Sequence, residues 1–289
     1  MVPNRPRAGE HAETTRLDQT PSGSSEFNAP GKIIAVAVNN TNTSIGLVEN
    51  LSVTRANSVP SGSPDQVAKA AAELLDADPE MVLLASVNKA ATLAIAEALR
   101  HETGMSVQQF GEDMPVPIAH TLPEPVTTGL DRFLVALGAF AVVGQACIVV
   151  DAGTALTCDF VDGQGVFHGG AIISGGQLML EALANKAPAL PKLQIADMPS
   201  PLEPFGKTTE HAMLLGAQAA ARGAVRYLAE RYAGFYEAYP QIIATGGDAR
   251  LLFEDDDLVE SIVPNLQLIG IGAARSKLIG KTDGDDDEG

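Results

Sequence analysis

Ile33-Ile34-Ala35-Val36-Ala37-Val38-Asn39-Asn40-Thr41-Asn42-Thr43 and, much later, Ile148-Val149-Val150-Asp151-Ala152-Gly153-Thr154-Ala155-Leu156-Thr157 are two versions of one local design. Each is a run of apolar, largely β-branched residues that breaks into a short turn of small polar residues and re-emerges as a strand. A bend of that composition aims backbone N–H groups and side-chain donors at a phosphate. Two copies predict two related lobes with a nucleotide between them. The copies also differ: the second has Asp151 and Gly153 where the first has Ala37 and Asn39.

Outward from these turns, the 289 residues are enough for a sizeable core, and at ~150 residues per domain they predict two lobes. Aromatic residues are 4% against 45% hydrophobic, with no Trp, so the core is built from Ala, Val, Leu and Ile, as suits an α/β protein. A net charge of −17 argues against nonspecific binding to nucleic acid or an anionic membrane. The acidic runs Glu254-Asp255-Asp256-Asp257 and Asp283 to Glu288 lack EF-hand spacing and read as a solvated loop and a frayed tail. Cys147 and Cys158 have neither zinc spacing nor a disulfide framework and read as reduced core thiols, in keeping with a cytoplasmic protein.

Residues 1–30 are rich in Pro, Ser, Gly and Glu and read as a disordered tail without a signal peptide. An N-terminal lobe over 31–145 and a C-terminal lobe over 146–280 follow, with an acidic disordered tail at 281–289. Strands near 32–38, 44–49 and 51–58 open the first lobe, and strands near 147–152, 155–162 and 165–172 open the second in the same way. Helices at about 63–75, 88–101, 129–143, 176–186 and 208–234 alternate with apolar strands at 81–87, 106–110 and 241–244, as in a mostly parallel, covered sheet. A last strand–helix pair is expected between about Leu266 and Ile279. The apolar run Phe133 to Val150 is long enough to span a bilayer, but Gly138, Gly144 and Gln145 interrupt it and Asp131, Arg132 and Asp151 flank it. It reads as a buried helix, a Gly turn and a buried strand.

Gly206-Lys207-Thr208 and Gly280-Lys281-Thr282 resemble the end of a Walker A loop, but Pro201 and Arg275 stand where its first glycine belongs. No G-x-S-x-G elbow is present. His168 beside Gly169-Gly170 reads as a strand-end residue, and Thr245-Gly246-Gly247 as a turn that a flat ligand such as a purine could approach. Gly129-Leu130-Asp131-Arg132 puts an acid and a base at the start of an apolar helix. An acidic first turn alone would account for the Asp. Together with the Asp151 turn, it supplies what phosphoryl transfer to an alcohol needs: a carboxylate to take the hydroxyl proton and a cation to offset charge on the phosphoryl oxygens.

With these motifs in this order, and with Gly206-Lys207-x-Thr209, the chain resembles the type III pantothenate kinases from about residue 32 to residue 278. They belong to the superfamily of acetate and sugar kinases, Hsp70 and actin. The resemblance implies an α/β fold of two ribonuclease-H-like lobes, each a mixed sheet flanked by helices. It implies ATP-dependent phosphorylation of pantothenate to 4′-phosphopantothenate, the first step of coenzyme A synthesis. Asp131 would be the general base, with Gly129, Leu130, Arg132 and Thr209 also on the substrate. Asn40, Thr41, Asn42, Thr43, Ser44 and Thr154 would meet ATP, which comes with Mg²⁺. Asp151 would hold a monovalent cation, potassium or ammonium. The family expectation is a cytoplasmic homodimer.

The family pattern at the first turn is Asp-x-Gly-Asn-Thr, and here Ala37 and Asn39 replace the Asp and the Gly. A pocket Tyr is replaced by Leu122. Two readings besides an active pantothenate kinase are therefore carried forward. One is a silent relative with a regulatory or scaffolding role, and the other is a kinase for another small alcohol.

Overall fold

The computed structural model describes Phe27, residues 31–199 and residues 203–284. The expected disorder of residues 1–30 and 281–289 falls largely outside those residues, with two exceptions. Phe27 is buried at 3% exposure, its carbonyl accepts a 3.1 Å bond from Ser276 Oγ, and Lys277 lies over its ring. The C-terminal helix runs through Gly284, so 281–284 are helical.

By contacts the described residues form two compact units. One contains Phe27 and residues 31–145, 163–168 and 265–284, and the other contains residues 146–162, 169–199 and 203–264. The C-terminal segment therefore returns to the first unit, although sequence order assigns it to the second lobe.

In the first unit, β1 (Lys32–Val38), β2 (Asn42–Glu49) and β3 (Ser52–Pro60) form an antiparallel meander. Parallel strands β4 (Met81–Ser86) and β5 (Val107–Gln109) complete a sheet of order β3-β2-β1-β4-β5. Crossovers to parallel strands need helices. Here they are α1 (Pro64–Ala72), with Pro at its first position, and α2 (Lys89–Thr103). The Asn88 side chain accepts the Ala91 N–H at 3.2 Å to start α2, and Gly104, at φ 66°, ends it. Ile34, Val36, Val38, Ile45, Val82 and Leu84 bury one sheet face against α1 and α2.

α3 (Leu130–Val143) stops at Gly144, also at φ 66°, and β6 (Cys147–Ala152) begins at once. The apolar run is thus a helix, a turn and a strand, and no described helix is long and apolar enough to cross a membrane.

In the second unit, β6 pairs antiparallel with β7 (Ala155–Val161), beside which lies β8 (Phe167–Ser174). On its other side it pairs parallel with β9 (Gln241–Thr245), which pairs with the short β10 (Ser261–Ile262). The order β8-β7-β6-β9-β10 repeats that of the first sheet, strand for strand. The fold is α/β with two mixed five-stranded sheets flanked by helices, as the duplicated turns predict. α4 (Gly176–Lys186), α5 (Thr209–Tyr236) and α6 (Ala249–Phe253) belong to this unit.

The expected final strand–helix pair is corrected. The strand is Ser261–Ile262, and everything from Leu266 to Gly284 is one helix, α7. Leu-Gln-Leu-Ile-Gly-Ile-Gly alternates like a strand, but its glycines serve a helix crossing. A β-carbon on Gly138 of α3 would lie 2.5 Å from the Leu266 carbonyl oxygen, and one on Gly270 would overlap the Leu134 carbonyl. We expect Gly270→Ala to cost about 2 kcal/mol in urea unfolding, because the helices must separate. An unchanged midpoint would show that the crossing yields easily.

The acidic run at 254–257 is a loop in which Glu254, Asp255 and Asp257 are exposed, as expected, but Asp256 is not. The Asp256 side chain is 6% exposed, accepts the Leu258 N–H at 2.8 Å and faces Arg222 at 3.5 Å, while Asp257 pairs with Arg226 at 3.3 Å. Cys147 and Cys158 are free, buried thiols, as expected. Burial pushes the Cys147 thiol up to about 12 and raises that of Cys158 as well, so neither is a reactive thiolate.

Candidate active site

In parallel α/β sheets ligands gather at the carboxyl ends of the strands. In the first unit, the carboxyl ends of β1 and β4 carry both expected motifs. The Val87 N–H donates to the Val38 carbonyl at 3.0 Å, which ties the end of β4 to the start of the turn after β1. A β-carbon on Gly129 would lie 3.6 Å from Val87 Cγ1, so the N-terminus of α3 sits at the same place.

The turn itself is tightly held. Asn39 N–H donates to the Asn42 carbonyl at 3.1 Å, and Ser61 N–H donates to that of Thr41 at 3.0 Å. Ser61 Oγ donates to the Asn39 carbonyl at 2.7 Å and lies 2.9 Å from Thr43 Oγ1. Asn40, Thr41 and Asn42 are exposed, Ser44 is half-buried, and Thr43 is buried as a strut. Position 39 is not among the described residues with positive φ, so its backbone does not need the family's glycine. Ala37 is fully buried, at 0% exposure, between Ser44 and Ala85 of the flanking strands.

Asp131 lies in the first turn of α3, where the Arg132 N–H donates to its Oδ1 at 2.9 Å. The carboxylate folds back over Gly129, where a β-carbon would collide with Oδ1. Burial raises the Asp131 pKa above the ordinary carboxylate value, while the Arg132 N–H and the Arg132 charge oppose the shift. Leu130 packs on Gly111, just after β5, and Leu122 is half-buried. The Arg132 guanidinium lies 5.6 Å from the centre of the Phe167 ring, and Phe167 meets Phe133 edge-on, with His120 stacked on Phe133. Sequence reading missed Phe167 and His120. They reach α3 through a bridge between the 119–121 loop and the start of β8, which no local pattern signals.

In the second unit, Asp151, Gly153 and Thr154 follow one another at the end of β6. Gly175 N–H donates to the Thr154 carbonyl at 3.0 Å, and Asp248 N–H donates to that of Ala152 at 3.0 Å. Gly246, at φ 95°, packs so closely that a β-carbon would lie 2.5 Å from Asp151 Oδ1 and would overlap the Ala152 carbonyl. The Thr245-Gly246-Gly247 turn therefore meets the Asp151 carboxylate, and Gly247 faces open space. Burial also raises the pKa of Asp248, a residue the sequence reading passed over. Thr209 is exposed at the first position of α5, next to its cap Thr208, whose Oγ1 accepts the His211 N–H at 3.2 Å. Lys207 forms an exposed ion pair with Glu203 at 2.6 Å.

Comparison with known proteins gives the family. The family model for type III pantothenate kinase matches residues 33–231. The chain belongs to the type III pantothenate kinase family. Curated relatives carrying that name include one from Rhodopirellula baltica, 43% identical over 148 residues, which are 50% of this chain and 51% of that protein. The match to that relative thus spans about half its length. A relative from Frankia alni is 30% identical over 83% of this chain and 96% of its own, and one from Syntrophotalea carbinolica is 29% identical over the same shares. Among solved structures, component A of (R)-2-hydroxyglutaryl-CoA dehydratase from Acidaminococcus fermentans has a TM-score of 0.54 at 15% identity, covering 88% of this chain and 100% of its own. A Baf-family protein from Campylobacter jejuni has a TM-score of 0.53 at 17% identity, covering 86% and 99%. These two likenesses bear on the fold alone. Pantothenate kinases are phosphotransferases, and that is the enzyme class of the family.

Proposed function

We propose that this protein transfers the γ-phosphoryl group of ATP to the primary hydroxyl of pantothenate, giving 4′-phosphopantothenate and ADP, and that Asp131 is the general base. The observation that carries this reading is the Asp131 carboxylate. It is fixed at a helix N-terminus, folded over Gly129, and raised in pKa by burial, as suits a proton acceptor. As the hydroxyl oxygen bonds to phosphorus and the bond to ADP breaks, the hydroxyl proton passes to Asp131. Gly129 and Leu130 are assigned to the alcohol, Arg132, steadied on Phe167, to its carboxylate or the phosphate, and Thr209 is a further substrate residue on the strength of the resemblance alone. Asn40, Thr41, Asn42 and Ser44 take the ATP phosphates, and Thr43, proposed as a contact by the resemblance, instead holds the turn from its buried place against Ser61. A nucleotide role is proposed for Thr154 in its own turn.

We assign the monovalent cation to Asp151 in the second turn, as the resemblance implies; its hard carboxylate oxygens suit potassium or ammonium. Bound there, the cation offsets phosphate charge. Mg²⁺ enters with nucleotide phosphates and needs only one or two protein carboxylates, and position 37 offers none. The proposed setting is a cytoplasmic homodimer.

A second reading, a silent relative with a regulatory or scaffolding role, is carried by Ala37, which is buried and has no ligand atom. A coupled ADP-release assay with pantothenate, Mg-ATP and potassium separates the two. Phosphopantothenate formation supports the kinase, and nucleotide binding without turnover supports the silent form. In the active case, replacing potassium with sodium lowers turnover at least about tenfold, as loss of a charge-stabilising group predicts, and Asp151→Asn removes the difference. Turnover indifferent to the cation sinks the role given to Asp151.

A further inference from the structure

We infer that Gln267 is a positioning residue for the nucleotide turn, holding residues 39–44 in their binding shape through the side chain of Asn39. This rests on the reading of that turn as an ATP-phosphate site. The Asn39 Nδ2 donates to Gln267 Oε1 at 3.0 Å, and Gln267 Nε2 donates to Asn39 Oδ1 at 3.4 Å. Two carboxamides facing each other in this way use a donor and an acceptor each, and they join residues 228 apart in the chain.

The pair has a firm base. Gln267 lies in the first turn of α7, between the fully buried Leu266 and Leu268, and α7 is locked to α3 by backbone contact at Gly138 and Gly270. The turn is held on a second side by Ser61, whose Oγ donates to the Asn39 carbonyl and whose N–H donates to the Thr41 carbonyl. Asn39 is therefore clamped through both backbone and side chain, while Asn40, Thr41 and Asn42 are exposed to meet a ligand. A glycine at position 39 would offer nothing for Gln267 to grip.

The clamp has a purpose in this chain. Ile33, which with Gly272 and Ser276 of α7 lines a small hollow, lies on the same face of β1 as Ala35 and Ala37. Position 37 thus faces the α7 side of the sheet but carries no carboxylate through which a metal ion could order the turn. Preorganised donors are effective because they need no rearrangement when charge arrives. The amide pair supplies that preorganisation from within the protein.

The test is a double-mutant cycle in the full chain: Gln267→Leu, Asn39→Ala and the two together. Mg-ATP binding is measured by calorimetry, amide hydrogen exchange is followed over residues 39–43, and steady-state constants are taken for both substrates. Each single variant weakens ATP binding about five- to tenfold, the loss of roughly one net hydrogen bond. The double variant is no weaker than either single one. Exchange accelerates in the turn and not along α3 or α7, and the KM for pantothenate is unchanged. Additive effects, or a pantothenate KM that shifts with that for ATP, overturn the inference. Unchanged exchange and ATP affinity in Gln267→Leu overturn it alone, leaving the ATP reading in place. A natural chain that binds no nucleotide overturns the ATP reading, and the inference falls with it.

Discussion

Asp131→Asn lowers pantothenate phosphorylation by about 10²- to 10⁴-fold, leaves Mg-ATP binding intact and does not destabilise the protein at neutral pH. The rate loss is the usual worth of a positioned general base. Retention of nucleotide follows from the site: Asn is isosteric, and its oxygen still accepts the Arg132 N–H now bound by Oδ1. The stability effect comes from burial, which raises the folded-state pKa of Asp131. A carboxyl group shifted upward on folding binds its proton more tightly in the folded than in the unfolded chain. Its favourable contribution is full below the ordinary value of about 4 and is lost as pH rises through the folded-state pKa. Asn never carries the charge, so the variant gains on the natural chain as pH rises through that window. Coupled ADP release and calorimetric melting from pH 4 to 7 check both halves. Unchanged turnover in Asp131→Asn removes the base from the mechanism. A variant that melts lower at neutral pH contradicts the burial argument.

Ala37→Asp raises Mg-dependent turnover on the order of a hundredfold, the scale of one preorganised electrostatic group. The same change lowers the stability of the ligand-free protein. Ala37 is fully buried between Ser44 and Ala85, so a carboxylate there is desolvated with no partner. Mg-nucleotide binds only the folded chain and restores part of the melting temperature by mass action. The diagnostic result is the pairing of a lower melting point without ligand and a larger Mg-ATP shift than in the natural chain. Equal shifts in both proteins mean that position 37 does not face the metal. Activity that first appears with Ala37→Asp identifies the natural chain as the silent form. Gln267 bears on this result, because a turn already clamped through Asn39 receives the new ligand without having to be ordered first.

Much of the architecture is written locally. The turns after β1 and β6 were legible because apolar strands and small polar bends are signals of a few residues each. Asn88, Gly104 and Gly144 marked helix ends for the same reason. The Phe133 to Val150 run was correctly divided because its glycine sits where a left-handed residue must end the helix. Residues 266–272 were not legible. Glycine at alternate positions lowers helix propensity and mimics a strand, and only the approach of α3 shows why those glycines belong to a helix. Nor was the burial of Asp256 within the acidic loop legible, since its partner Arg222 lies on α5. Around the site, Asp131 and Asp151 stood out from neighbouring residues, whereas Phe167, His120, Ser61 and Gln267 did not, because each acts on a segment distant in the chain.

By itself, then, the sequence determined the duplicated α/β design, the family, and the two carboxylates on which the proposed chemistry turns. These are carried by periodicity, turn chemistry and short motifs, all of them local. Only the tertiary structure decided that α7 belongs with the first sheet, that Asn39 is gripped from α7 and needs no positive φ, and that position 37 is sealed from solvent. Those facts depend on long-range contacts, whose energies arise only once the chain has closed its loops and brought distant side chains to one place.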